Sequence, residues 1–167
     1  ATSRLDISGE RVVLTQAFEE DAYFNGSAVV IGVSGRPAKA RYLNETTVRL
    51  SAAPGKGKFT VYMASAASFS RTENAAARAG EKLDSAVQKG FGALLAANQV
   101  WWHDFWSKGF VHLHSSDRIA DYVEQHYTYF LYVMGASSRS QFPPHFNGMF
   151  WFTNGDMRQW GAEQWWN

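Results

Sequence analysis

The hydrophobic period of this chain changes once, near Ser70, and that change limits what it can build. Before it, residues 11–18, 27–34, 46–51 and 58–65 form short runs rich in β-branched and aromatic side chains. Turn formers separate them: Asn25-Gly26, Gly35-Arg-Pro37 and Pro54-Gly-Lys-Gly57. In 58–65, Phe59, Val61 and Met63 alternate with Thr60, Tyr62 and Ala64, the period of two expected of a strand covered on at least one side. Four or five such strands are too few to close a sandwich, so the β part reads as unfinished.

Beyond Ser70 the period lengthens. Thr72 can cap a helix whose apolar positions Ala76, Ala79, Leu83 and Val87 recur every three or four residues, and Gly90 suits its end. A second helix is predicted over 91–106, closed by Gly109, and 110–114 alternates like a brief extended segment. Ser115 or Ser116 then caps a third helix from Asp117 to about Ala136, with a stripe of Ile119, Val123, Tyr127, Phe130, Leu131 and Met134. Strands followed by helices predict an α+β multidomain fragment. Its segments are a strand-rich part (1–70), a helical linker (71–108) and a further helical part (109–167).

Composition excludes several function classes. The net charge is +1 and 19% of residues are charged, so nothing in the electrostatics calls for nucleic acid or an anionic membrane. No apolar run reaches the roughly 20 residues of a membrane-spanning helix. The chain has no cysteine, which removes disulfides and thiolate metal sites. Aromatics reach 16%, and all seven tryptophans fall from Trp101 onward. A small core does not require that, so a large interface or a ligand surface is implied.

The stretch 147–167 carries the chemistry. Trp151, Trp160, Trp165 and Trp166 are interleaved with Asn154, Asp156, Arg158, Glu163, Gln164 and Asn167. Sugars need such a mixture, because their C–H faces pack on flat indoles while their hydroxyls take fixed donors and acceptors. The competing account is that these indoles are core. Asp156 and Glu163 can act as a paired acid and base, or they can form ion pairs with neighbours such as Arg158. His112 and His114 alternate toward one face; a solvated or hydrogen-bonded pair is preferred to zinc because no third ligand follows at a recognisable spacing. There is no Gly-rich phosphate loop and no serine elbow.

Several stretches, in order, resemble glycoside hydrolase family 95, the α-L-fucosidase and α-L-galactosidase type. Phe59-Thr-Val-Tyr-Met-Ala-Ser-Ala-Ala-Ser-Phe69 looks like the closing strand of that family's sandwich. Tyr132-Val-Met-Gly-Ala-Ser-Ser-Arg139 resembles its Y-L-L-I-S-S-S-R at the end of an early barrel helix. Pro143-Pro-His-Phe-Asn-Gly148 is similar to P-x-N-L-Q-G, with His145 where the family has Asn, and Trp160-Gly161 matches its W-G. The resemblance implies that 1–70 is the C-terminal part of a β-sandwich, 71–108 a helical linker and 109–167 the start of an (α/α)6 barrel catalytic domain. It also implies that the enzyme is an inverting hydrolase. In such an enzyme paired asparagines and an aspartate hold the water, while a glutamic acid protonates the leaving oxygen.

A gap-free count from Trp160-Gly161 puts Asn167 on the first asparagine, whereas a shifted register makes it the second and sets Trp165 in place of the first. Asn167 is therefore the expected catalytic residue, with Trp151, Asp156, Arg158, Trp160 and Glu163 against the substrate. The acid and the aspartate are expected outside this chain, which alone is expected to be inactive. No cofactor and no metal are expected. The expected partners are an oligosaccharide or polysaccharide substrate and the remainder of the polypeptide, or another chain, to complete the fold. An extracellular or periplasmic site is implied by the resemblance alone. Two alternatives belong to other classes: a non-catalytic carbohydrate-binding protein, and an interaction domain with a Trp-rich face.

Overall fold

The computed structural model describes residues 2–139, and its chain divides into two compact units, Ala1–Asn98 and Gln99–Asn167. It is a mixed α+β fold, with antiparallel strands followed by helices. Six strands, β1 (Thr2–Ser8), β2 (Arg11–Glu20), β3 (Tyr23–Ser34), β4 (Ala38–Asn44), β5 (Thr47–Ala52) and β6 (Thr60–Ser68), precede helices α1 (Ala75–Ser107) and α2 (Ile119–Ser137). No (α/α)6 barrel is seen among the described residues.

In the first unit, β1-β2-β3-β6 make one sheet in that order, and β4-β5 make a second. Two-residue connections join β1 to β2 and β2 to β3, each with positive φ at its first residue, Gly9 at 60° and Asp21 at 52°. Asn25-Gly26, expected as a turn, lies inside β3, where Asn25 pairs with Phe18 and Gly26 pairs with Ala17 and Ser68. β1 and β4 were not expected; β1 is mostly polar, and β4 is rich in Ala, Lys and Asn, which are poor in strand preference.

The register places Val13, Ala28, Val30, Tyr62 and Ala66 on one face, where Ala79 and Leu83 of α1 complete the core. Ala76 and Val87 pack beside them, so the predicted helical stripe is the buried one. Leu83 (1% exposed) and Val30 (2%) are the largest fully enclosed side chains. Such burial stabilises by about 1.5–3 kcal/mol per side chain. On the other face Val12 is buried, and β4-β5 contacts β1 and β2. At β6 that other face is open: Val61 is 57% exposed and Met63 70%.

The cap of α1 is Asn74, not Thr72: Asn74 Oδ1 accepts the Ala77 N–H at 3.0 Å, while Thr72 is engaged with Ser70. Gly90, at φ 77° and ψ 160°, interrupts the helix where its end was expected, and the chain re-enters helix at once to Ser107. Only a residue without Cβ adopts this conformation freely.

Candidate functional site

The second unit holds the tryptophans that the structure describes, and they form a layered stack at the C-terminal end of α1. Trp101 and Phe105 stack at 5.5 Å and 14°, and Trp102 and Trp106 at 6.1 Å and 22°. All four are half-buried. The spacing follows from the helix, since residues three and four apart share a face.

From α2, Tyr132 lays its ring on Trp102 at 5.1 Å and 21°. Just past the helix, the Arg139 guanidinium lies 3.8 Å from the centre of the Trp101 ring. A cation over an indole face is held by the ring quadrupole. Gly135 sits directly against Phe105: a Cβ there would lie 2.8 Å from the ring, closer than any real contact. Tyr132, Gly135 and Arg139 thus each meet a different ring of the same layer.

A polar network lies beside the start of α2. Arg118, at φ 65°, gives no side-chain cap. Ser115 and Asp117 take that role: Ser115 Oγ accepts from the Ala120 N–H at 3.0 Å, and Asp117 Oδ1 from the Ile119 N–H at 3.0 Å. Ser115 was one of the two expected caps, and it acts five residues ahead of the amide it satisfies. Hydrogen bonds from Ser115 and then Ile119 hold the Asp117 carboxyl below its ordinary value.

His112 and His114 both meet carboxylates of α2. His114 Nδ1 is 3.1 Å from Asp121 Oδ1, and His112 Nδ1 is 3.3 Å from Glu124 Oε2. An ionised carboxylate only accepts, so in the His114–Asp121 hydrogen bond His114 Nδ1 is the donor. Asp121 also accepts from the Ser115 N–H, and Glu124 from the Leu113 N–H. The His114 hydrogen bond, first among several causes, holds the Asp121 carboxyl below its ordinary value. His114 is thus hydrogen-bonded to a carboxylate and His112 lies within ion-pair distance of one, and no group of three His, Asp or Glu suited to a metal occurs among the described residues.

These contacts tie the segment before α2 to the helix, one residue at a time. Asp121 and Glu124 escaped the sequence reasoning. Their signal was spacing: two acids three apart on a helix match two histidines two apart on an extended segment.

In the first unit, an open hollow of about 500 Å³ lies where the sheet meets the start of α1, lined by Arg4, Thr15, Gln16, Arg71 and Asn74 among others. Its two arginines already pair with Asp6 and Glu19, which leaves it little spare charge.

The expected site residues Trp151, Asp156, Arg158, Trp160, Glu163 and Asn167 all lie outside the described residues. The aromatic layer and the His–carboxylate tether are therefore the described constellations nearest to them in the chain. Comparison with protein-family models, curated proteins and solved structures gives no match.

Proposed function

We propose that this chain is part of an inverting glycoside hydrolase, similar to α-L-fucosidases and α-L-galactosidases, that acts on glycans through an (α/α)6 barrel. The observation that carries the proposal is the anchoring of Tyr132–Arg139 on the aromatic layer. Tyr132 on Trp102, Gly135 against Phe105 and Arg139 over Trp101 fix both ends of the stretch that resembles the family. That stretch leads directly into the residues proposed to contact the sugar. A binding segment works only if its root is rigid, because loops carry function when a scaffold holds them.

In this reading Trp151 and Trp160 offer indole faces to the sugar, while Asp156, Arg158 and Glu163 bind its hydroxyls. Asn167 orients the attacking water. The general acid lies elsewhere in the protein. Two exposed apolar surfaces support the need for a remainder of the polypeptide or another chain. One is Val61 and Met63 on the sheet. The other is Ile119, Val123, Tyr127 and Phe130 on α2, which has no buried residue among those described. Exposed patches of that kind mark surfaces that something covers.

The test is titration of fucosyl and galactosyl oligosaccharides followed by tryptophan fluorescence. Trp160→Ala should weaken binding about tenfold, and Asn167→Ala should leave it within a few fold, because water positioning is not ground-state affinity. Sugar affinity untouched by Trp160→Ala contradicts the reading.

A further inference from the structure

Most described arginines are already committed. Arg4, Arg11, Arg71 and Arg78 each hold a carboxylate. Arg36 donates to the Gly57 carbonyl and lies over Phe59, and Arg139 lies over Trp101. Arg118 supplies positive charge near Asp121. Arg41 and Arg49 differ: neither has an ion pair, hydrogen bond or ring contact among the described residues. They are also direct cross-strand partners in the β4-β5 sheet.

Alternation along the two strands fixes where they point. Ala38 is buried, and Ala40, Val48, Leu50 and Ala52 are half-buried on the inner face. Lys39, Arg41, Arg49 and Ser51 are exposed on the outer one. Directly opposed residues hold their Cβ atoms about 4.5–5.5 Å apart, and like charges at that spacing destabilise the sheet. Lys39, one pleat along the same face and opposite neutral Ser51, adds a third positive charge. Glu45, in the turn that joins the strands, pairs with none of the three. Among the described residues the repulsion is therefore left standing, and an anion from outside would relieve it.

We propose that the outer face of β4-β5 binds a single charged substituent, a sulfate ester or carboxylate, on an acidic glycan. Two guanidinium forks at this separation can each give paired N–H donors to one oxyanion, the geometry that makes Arg the preferred partner of such groups. Three cations on a short hairpin suit one substituent; a nucleic acid demands a row of phosphate contacts, and the chain as a whole carries only +1. That the anion sits on a glycan rests on the glycosidase reading; that the face takes an oxyanion does not.

The experiment measures affinity of the full chain at low and at moderate salt for a dextran sulfate oligomer, an oligogalacturonate, neutral dextran and a DNA duplex, with sodium sulfate as competitor. Both acidic glycans should bind more tightly than neutral dextran, and sodium sulfate should compete. Arg41→Gln/Arg49→Gln together should lower acidic-glycan affinity about tenfold or more. The double variant should keep or raise the low-salt thermal midpoint, because it removes the repulsion; this shows that lost binding is not lost fold.

Unchanged acidic-glycan affinity in a folded double variant overturns the proposal. So does DNA binding as tight as glycan binding and lost in parallel, which marks a general polyanion surface, and so does sulfate binding with neither acidic glycan bound. Arginine-dependent binding of an acidic glycan in a protein that hydrolyses no glycoside sustains this site and overturns the hydrolase reading alone.

Discussion

Leu83 shows how much one position holds together. It is 1% exposed, belongs to the core cluster with Val30, Tyr62 and Ala66, and lies beside Gly32 on the sheet face. Leu83→Ala should cost about 2–5 kcal/mol, from lost transfer energy and the cavity left behind. Chemical denaturation of the chain measures it, and a loss below about 1 kcal/mol means that the helix does not seat on the sheet as described. Gly135 is the matching position in the second unit. Gly135→Val should overpack Phe105 and cost about 1–3 kcal/mol, with Phe105→Leu in the same chain restoring part of it. Rescue read by tryptophan emission is the discriminating result, since a purely local backbone effect would not respond to residue 105.

The stripe Ala76, Ala79, Leu83 and Val87 was legible in the sequence because burial imposes a period that nothing else in the segment imitates. Asp121 and Glu124 were not legible, because an acid on a helix looks the same whether it faces water or a histidine.

At the scale of elements, three of the four lowered carboxyls sit at helix starts and the fourth, Asp84, lies inside α1. Asp84 is held below its ordinary value of 3.8 by hydrogen bonding to Arg11, and Glu73 below 4.5 by Ser68 and then Arg78. Asp117 and Asp121 are lowered likewise. A carboxyl that titrates lower in the folded state than in the unfolded one adds stability above the unfolded value and loses it as pH falls through the folded one. The thermal midpoint should thus hold from pH 7 to 5 as far as these groups are concerned, and fall below about pH 4. Asp121→Asn should make that acid decline shallower; an identical slope in the variant contradicts the tether.

The strands show why part of the β region was hidden. Asn-Gly is a strong hairpin signal, yet Asn25-Gly26 sits in mid-strand, and the chain turns instead at Asp21-Ala22. Gly26 has a local use there, as a Cβ would come within 3.1 Å of the Phe24 ring. Strands of weak intrinsic preference such as β1 and β4 are held by their neighbours, and composition does not reveal pairing of that kind.

At the scale of the whole molecule, the order of strands then helices was readable because the period changes once. The layers were not, since a period of two names the faces of a strand without naming what lies on each. Phe59, Val61 and Met63 did alternate with the buried side, but the covered face is that of Tyr62, Ala64 and Ala66. The apolar stripe of α2 reads like a core stripe, yet Ile119, Val123, Tyr127 and Phe130 are exposed and Leu131 and Met134 only half-buried, which is how one helix of a larger helical assembly would look.

The most direct measurement is sugar release from aryl α-L-fucosides and aryl galactosides by the full-length protein and its Asn167→Ala variant, with substrate affinity followed in parallel. Turnover should fall by about a hundredfold or more in the variant while affinity stays within a few fold, the mark of a group that acts only in the transition state. Turnover that does not depend on Asn167, or a full-length protein that neither binds nor cleaves these sugars, contradicts the account.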